Sequence, residues 1–184
     1  MRDLSLHILD LMQNSIRAQA KVVSLSVLLG EDKMLSVIIE DDGTGMSEEL
    51  LTRVTSPFAT TRTTRKVGLG IPMMAENCRL AGGDLSIEST LGKGTKLTAT
   101  LDTKSIDCLP LGDLPGTVTT LVTMNPDQPE FLLQCSSPKG EMQFDTREVR
   151  EALQGVSFSE PEIAAWILDS LREEIEPIFG GVIL

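Results

Sequence analysis

Side chains that could bind a ligand or a metal ion occur at two places in the first half of the chain. Asp10 and Asn14 are four residues apart, so they lie on one face of a helix and could hold a metal ion or a water molecule. Asp41 ends a predicted strand just before Gly43 and Gly45, where a ligand could approach the backbone closely. A solvated helix face and a tight acidic turn are the structural alternatives, and both remain open.

Two glycine motifs follow. Gly68-Leu69-Gly70 opens a predicted helix, whose free N–H groups and positive dipole end attract phosphate, although a flexible loop would have the same composition. Gly92-Lys93-Gly94-Thr95 precedes a strand and lacks the spacing of a P-loop, so a hairpin turn is the simpler interpretation. The third glycine of a dinucleotide fingerprint is absent, because Met73 stands there. His7 is the single histidine, which leaves a catalytic triad without support.

Hydrophobic periodicity predicts the elements that position these groups, in the order helix, two strands, helix, two strands. In the first helix the apolar residues share one face, and His7, Asp10, Asn14 and Arg17 lie on the other. This order predicts an α+β fold, an α/β sandwich with helices packed on one face of a mixed, mainly antiparallel sheet. The predicted elements are a helix over 4–20, strands over 22–29 and 34–39, a helix beginning at Ser47, a helix over 71–81, and strands over 84–89 and 95–101.

The sequence pattern of the second part of the chain, 105–184, predicts a C-terminal α+β extension that continues the same sheet. We expect a connection over 105–116, strands over 117–124, 130–135 and 141–144, and a helix capped by Asp145. Ser159 and Glu162 resemble a capping box for a last helix that runs through Ile175. Most of the aromatic residues lie here and would form either core or an interface. They are Phe131, Phe144, Phe158, Trp166 and Phe179.

Composition excludes several classes of partner. The 27 acidic residues outnumber the 16 Lys and Arg residues, which gives a net charge of −11 and repels nucleic acids and anionic membranes. Aromatic residues make up 3% of the sequence, too few for base-stacking surfaces. No uncharged apolar run reaches the roughly 20 residues of a membrane helix. We therefore expect a cytoplasmic protein without nucleic-acid or membrane partners, and the three widely spaced cysteines are expected to be buried free thiols.

Taken in order, the motifs resemble the GHKL superfamily of histidine-kinase-like ATPases, which share the Bergerat fold. The first box is Asp10-Leu11-Met12-Gln13-Asn14, the second is Asp41-Asp42-Gly43-Thr44-Gly45 followed by Met46, the third is Gly68-Leu69-Gly70-Ile71, and the last is Gly94-Thr95 before a terminal strand. The resemblance covers 1–104, which we take as the ATP-binding domain. Residues 105–184 carry no such pattern.

The resemblance implies Mg²⁺–ATP as the ligand. Asn14 would coordinate the Mg²⁺ that bridges the phosphates, since an amide oxygen suits a hard cation, and Asp41 would accept a hydrogen bond from the adenine amino group. Arg17 and Lys66 are the implied cationic contacts to phosphate. The remaining implied nucleotide-binding residues are Gly43, Gly45, Met46 and Thr95 near the base and Gly68, Leu69 and Gly70 around the phosphates.

One position departs from the family pattern. Members that hydrolyse ATP and anti-sigma-factor kinases carry Glu as general base where this chain has Asp10, and histidine kinases carry Asn there. The Asp carboxylate sits ~1.5 Å further back, and misplacements of about 1 Å can cost on the order of 100-fold in rate. Because it stands at the position of the general base, Asp10 is the candidate catalytic residue. Its shorter side chain makes ATP hydrolysis less well supported than ATP binding.

The resemblance implies a regulatory protein that binds Mg²⁺–ATP and phosphorylates a partner protein, as anti-sigma-factor kinases do. A slow ATPase that gates a partner through lid closure, and a non-catalytic ATP sensor, remain alternatives. The Thr- and Arg-rich segment 55–67 would be the lid that orders over the phosphates. Residues 105–184 would serve partner recognition or homodimerisation, with a purely structural role as the alternative.

Overall fold

The computed structural model describes residues 2–55 and 69–180. The helices are α1 Leu4–Arg17, α2 Glu48–Thr55, α3 Gly70–Leu80, α4 Leu114–Met124, α5 Thr146–Leu153 and α6 Pro161–Phe179. The strands are β1 Val22–Leu29, β2 Met34–Asp41, β3 Leu85–Thr90, β4 Gly94–Asp102, β5 Glu130–Ser137 and β6 Gly140–Asp145. The predicted lid from Ser56 onward, with Lys66 and Gly68, lies outside the described residues.

The strands of the described ranges form one sheet in the order β3-β4-β2-β1-β5-β6. Neighbouring strands are antiparallel except β1 and β5, which run parallel from the pair Val22 and Glu130 to the pair Leu28 and Ser136. Alternate β1 residues from Val23 to Leu29 are buried, as a strand with one covered face requires. The predicted α+β class with a mixed, mainly antiparallel sheet is confirmed.

Four helices lie side by side over this sheet in the order α3, α1, α4, α6. Their apolar faces and the covered face of the sheet form one core, with Leu4, Ile8, Leu35, Met74 and Ile167 fully buried. The helix α1 is therefore flanked on both sides as well as below. This central place puts its polar residues at the junction of α1, α3 and the sheet.

Two details of the first predicted helix are wrong. The helix ends at Arg17 and not at Ala20, because Gln19 takes a left-handed conformation with φ of 57°. His7 is fully buried and does not lie on a polar face. Its Nε2 lies 2.8 Å from the Asn77 amide nitrogen of α3. The neighbouring helix therefore covers a side of α1 that a helical wheel assigns to solvent.

The predicted strand over 117–124 is also wrong, because this segment belongs to α4. Asp113 caps the helix by accepting from the Gly116 N–H at 3.0 Å. The Thr120 hydroxyl donates to the Gly116 carbonyl at 2.7 Å and the Thr123 hydroxyl to the Thr119 carbonyl at 2.9 Å. Because a Thr hydroxyl can bond the carbonyl oxygen one turn earlier, these residues are accommodated in a helix although they are β-branched. Burial of Val118, Leu121 and Val122 against the core then outweighs strand propensity.

The predicted strands at 130–135 and 141–144 form β5 and β6, and Asp145 caps α5 as predicted by accepting from the Arg147 N–H. The capping box predicted for α6 is wrong, since the helix begins at Pro161 without a side-chain cap and extends to Phe179. The four phenylalanines of this region contribute to the core, whereas Trp166 is 52% exposed.

No helix within the described ranges combines the length and apolar character needed to cross a membrane. Two of the three cysteines, Cys78 and Cys135, are buried free thiols as predicted, and burial raises the pKa of each to about 12. Cys108 is half-buried, so the prediction of three buried thiols is wrong at that position.

Candidate functional site

A cavity of about 310 Å³ opens between α1, α2 and the carboxyl end of β2. Its walls are largely apolar, and few polar side chains reach it. A concave, mostly apolar cavity with a small number of polar groups is typical of a site for a small-molecule ligand. The lining residues are Leu11, Asn14, Ser15, Arg17, Ala18, Ile39, Asp41, Gly45, Met46, Leu50, Val54, Ile71, Thr95 and Leu97.

The Asp41 carboxylate is held from two sides. Its Oδ1 accepts a hydrogen bond from the Gly43 N–H at 3.0 Å, and its Oδ2 accepts one from the Ser15 hydroxyl at 2.6 Å. A carboxylate has about four lone-pair positions, so two acceptor positions remain after these bonds. The cavity therefore contains an oriented acceptor for a ligand N–H.

Asp42, the next residue, has a different role. Its Oδ1 accepts from the backbone N–H groups of Lys21 and Val22 at 2.7 and 2.9 Å, and these bonds hold its pKa below the ordinary value. They tie the end of β2 to the start of β1. The two consecutive acids thus have different roles: Asp41 lines the cavity, and Asp42 hydrogen-bonds to the backbone.

Thr95 lies directly opposite Asp41 in the pairing of β2 with β4. Its hydroxyl is 2.9 Å from the Ser89 hydroxyl, which donates to the Gly94 carbonyl at 3.0 Å and accepts from the Met46 N–H at 2.8 Å. Either hydroxyl can be the donor in the bond between Ser89 and Thr95. This network holds the Thr95 side chain at the cavity wall.

Two further lining residues, Asn14 and Arg17, form a pair one turn apart on α1. The Arg17 guanidinium donates to the Asn14 amide oxygen at 3.0 Å. Arg17 is exposed and both residues line the cavity. A cation and an amide oxygen stand together where a charged part of a ligand would project toward water.

Asp10 is packed against the amino end of α3. A β carbon built on Gly70 would lie 2.0 Å from the Asp10 Oδ2, so residue 70 must be glycine while Asp10 keeps this position. Among the described residues, Asp10 and Gly70 do not line the cavity that contains Asn14. The Asp10 carboxylate thus lies against the first residue of α3.

The glycines of the second box are required for packing. A β carbon on Gly43 would lie 2.8 Å from the Ala18 carbonyl oxygen, and one on Gly45 would lie 2.1 Å from the Thr90 carbonyl oxygen. Gly45 also has a φ of 64°, which disfavours side chains. The absent side chains bring the loop against α1 and against the turn between β3 and β4. Backbone contact within the protein accounts for both glycines.

The structure brings six of the predicted site residues to one cavity, namely Asn14, Arg17, Asp41, Gly45, Met46 and Thr95. Asp10, Gly43, Leu69 and Gly70 are not among its lining residues, and Lys66 and Gly68 are outside the described residues. Sequence reasoning missed Ser15 and Ser89. The signal for Ser15 was its place one residue after Asn14, which turns it by about 100° around α1 toward Asp41.

The residues present fit an adenine nucleotide, with an oriented carboxylate in an apolar slot and a cation at its open end. Asn14 is the residue that would hold Mg²⁺ together with the phosphates, and such an ion would neutralise phosphate charge. Within the described ranges no three acidic, histidine or cysteine side chains form a ready metal site.

Comparison with known proteins agrees with this geometry. The family described as histidine kinase-, DNA gyrase B-, and HSP90-like ATPase matches residues 2–105, more than half of the chain. Sporulation kinase D of Bacillus subtilis is 32% identical over 95 residues, covering 51% of this chain and 19% of that protein. Histidine protein kinase DivJ of Caulobacter vibrioides is 30% identical over 99 residues, covering 51% of this chain and 17% of that protein.

The chain thus spans less than a fifth of the length of either kinase. A solved structure, the N-terminal domain of a DNA repair protein, covers 79% of this chain and 52% of its own with a TM-score of 0.54 and 18% identity, which shows a shared fold. The matched region contains α1, the Asp41 loop and Thr95, which are the elements that build the cavity. The chain belongs to the histidine kinase-, DNA gyrase B-, and HSP90-like ATPase family, and so to the ATP-binding GHKL superfamily.

Proposed function

We propose that this protein binds Mg²⁺–ATP in the cavity beside Asp41 and transfers the terminal phosphate to a protein partner, in the manner of an anti-sigma-factor kinase. The observation that supports adenine binding best is the carboxylate of Asp41, oriented by Gly43 and Ser15 inside an apolar slot. An exocyclic amine can donate to it, whereas a 6-oxo group cannot.

The position of Asp10 argues against fast hydrolysis of ATP. Its carboxylate is one methylene shorter than a glutamate and packs on Gly70 at the amino end of α3. A general base must lie within hydrogen-bond reach of the water that it activates. Asp10 is held toward the backbone of α3, so we infer a slow ATPase at most.

The phosphate acceptor in this proposal is on another protein. The single histidine of this sequence, His7, is fully buried and contacts Asn77. A phosphoacceptor must reach the terminal phosphate, and His7 is enclosed between α1 and α3. The names of the two bacterial kinases support phosphate transfer as the chemistry, and the partner is proposed to dock through residues outside the cavity.

The test is incubation with ATP labelled at the terminal phosphate, with the full chain and a lysate of the source cells. Transfer of label to a second protein is expected. Asp41→Asn should abolish transfer, and Asp42→Asn, its neighbour outside the cavity, should retain it. Release of free phosphate without a labelled protein would favour the slow ATPase. Nucleotide binding without either product would favour the sensor.

We also propose that residues 105–184 serve partner recognition or homodimerisation. Trp166, which is half exposed on α6, supports this assignment because aromatic side chains are enriched at interface centres. Light scattering of the full chain tests dimerisation, and a monomer at all concentrations would exclude dimerisation and leave partner recognition and a purely structural role to be separated.

A further inference from the structure

The outward face of α6 carries the single tryptophan of the chain. Trp166 is 52% exposed, whereas Ile167, Leu171 and Ile175 of the same helix are buried against the core on the opposite face. The core therefore leaves much of the indole ring in contact with water. Because tryptophan is enriched among the residues that anchor protein interfaces, this ring is a candidate anchor for a partner.

Acidic side chains surround Trp166 on this face. Glu162 precedes it by four positions, and Asp169 and Glu173 follow it by three and seven, spacings that place residues on one side of a helix. All three acids are exposed, and within the described ranges none of them forms an ion pair. Arg172 is the single basic residue of α6, so the face keeps a net negative charge.

A pocket adjoins this face at the first turn of α6. Glu162 and Ile163 line it, so it begins about one turn before Trp166. Val156 in its wall is 49% exposed and offers apolar surface to a side chain inserted from outside. The indole, the acids and the pocket thus form one continuous surface. The pocket is lined by Gly155, Val156, Ser157, Glu160, Pro161, Glu162 and Ile163.

Charge decides between the possible occupants of this surface. A second copy docked by two-fold symmetry would bring the same acidic face against itself, and like charges across an interface are costly. Nucleic acids and anionic lipid surfaces are repelled for the same reason. A basic protein segment is complementary to the surface. Arginine suits it best, because a guanidinium stacks on an aromatic face and pairs with carboxylates through its planar N–H groups.

We propose that the outward face of α6 docks an arginine-bearing segment of a protein partner, with a guanidinium stacked on Trp166 and paired with Asp169 or Glu173. This inference rests on the proposed partner-recognition role of residues 105–184, and it names the surface and the chemistry of the partner. Since α4 lies between α1 and α6, docking and nucleotide binding would use different parts of the molecule.

The probe is a synthetic helical peptide without tryptophan that carries arginines at alternating spacings of three and four residues, which places them on one face. A control peptide has citrulline, which is neutral and of similar shape, at each arginine. Fluorescence of Trp166 reports binding at this surface directly, because the chain has no other tryptophan. The arginine peptide should change the emission saturably and bind about tenfold more tightly than the citrulline peptide. Added salt should weaken its binding.

Variants of the full chain, measured by calorimetry with the arginine peptide, separate the ring from the charges. Trp166→Leu keeps an apolar side chain without the ring and should weaken binding by about fivefold. Glu173→Gln should weaken it by about threefold, the size of an exposed charge pair. Glu31→Gln is the matched control, since Glu31 is an exposed acid in the turn between β1 and β2, and it should leave the affinity unchanged.

Equal binding of the arginine and citrulline peptides, or no emission change with either, would overturn this inference. It would also be overturned if Trp166→Leu converted a dimer of the full chain to a monomer in light scattering, because a second copy would then occupy the face. In these cases transfer of labelled phosphate to another protein would still support the proposed function. Failure of the folded wild-type chain to bind Mg²⁺–ATP would instead overturn the proposed function, whatever the peptides show.

Discussion

The Asp10 carboxylate occupies the space that a β carbon of Gly70 would fill, with its Oδ2 2.0 Å from that position. Gly70→Ala must therefore displace Asp10 or shift α3. We expect a loss of at most about 1 kcal/mol in the free energy of unfolding, measured by urea denaturation, because the Asp10 carboxylate is the end of a side chain that can turn aside and alanine favours the helix over glycine. The double variant Asp10→Ala with Gly70→Ala should recover most of this loss. Strict additivity of the two single changes would contradict the contact.

The two consecutive acids of the second box should respond differently to removal of charge. Asp41→Asn should weaken ATP binding by about 10–100-fold, the size of a hydrogen bond to a charged group, as measured by calorimetry. Asp42→Asn should leave ATP affinity nearly unchanged and lower stability, because its carboxylate holds the Lys21 and Val22 N–H groups. Weaker ATP binding by Asp42→Asn with unchanged binding by Asp41→Asn would show that Asp41 does not make the adenine contact.

Arg17→Gln should separate phosphate binding from base binding. Arg17 donates to Asn14 at the open end of the cavity, so its loss should weaken ATP binding by about tenfold and leave adenosine binding unaltered. Arg79→Gln is the control, since Arg79 is an exposed arginine on α3 whose partner is Glu76. If Arg17→Gln weakened adenosine binding as much as ATP binding, the charge of Arg17 would not be acting on phosphate.

His7 should make the protein less stable in mild acid. Burial lowers its pKa from 6.5, with opposing contributions from Asp3 and Asp10. Because the unfolded chain takes up the proton first, the free energy of unfolding should fall as pH decreases below about 6.5, by at most about 1.4 kcal/mol per pH unit. The fall should end once the pH is below the lowered pKa of the folded state.

His7→Gln is the reference for this pH dependence, measured by urea denaturation between pH 7.5 and 5.5. The variant keeps a polar side chain beside Asn77 and has no group that titrates near pH 6.5. The difference in stability between the two proteins should therefore change across this range. Parallel curves would show that another group is responsible for the slope.

Local sequence patterns predicted the first unit well because its strands alternate strictly and its turns carry glycine. They failed where tertiary packing decides. The α4 segment has strand-like residues, but Asp113 and Pro115 start a helix and the core selects its apolar face. His7 looked polar on a helical wheel because a wheel shows nothing of α3.

At the site, the sequence predicted residues that act through their own chemistry, such as Asp41 and Asn14. It missed Ser15 and Ser89, whose importance comes from which atom they reach. A serine on a helix or strand gives no local signal of a long-range hydrogen bond. The packing role of Gly43 and Gly45 was hidden for the same reason, since Ala18 and Thr90 are distant in sequence.

The parallel pairing of β1 with β5 has a consequence for chain truncation. The family match ends at residue 105, yet β1 pairs along Val22–Leu28 with a strand that begins at Glu130. A chain cut after the matched region would turn β1 into a bare edge strand with a row of open N–H and C=O groups, which is a template for aggregation. In the whole chain β5 covers this edge, so residues 105–184 complete the hydrogen bonding of the sheet that carries the nucleotide cavity.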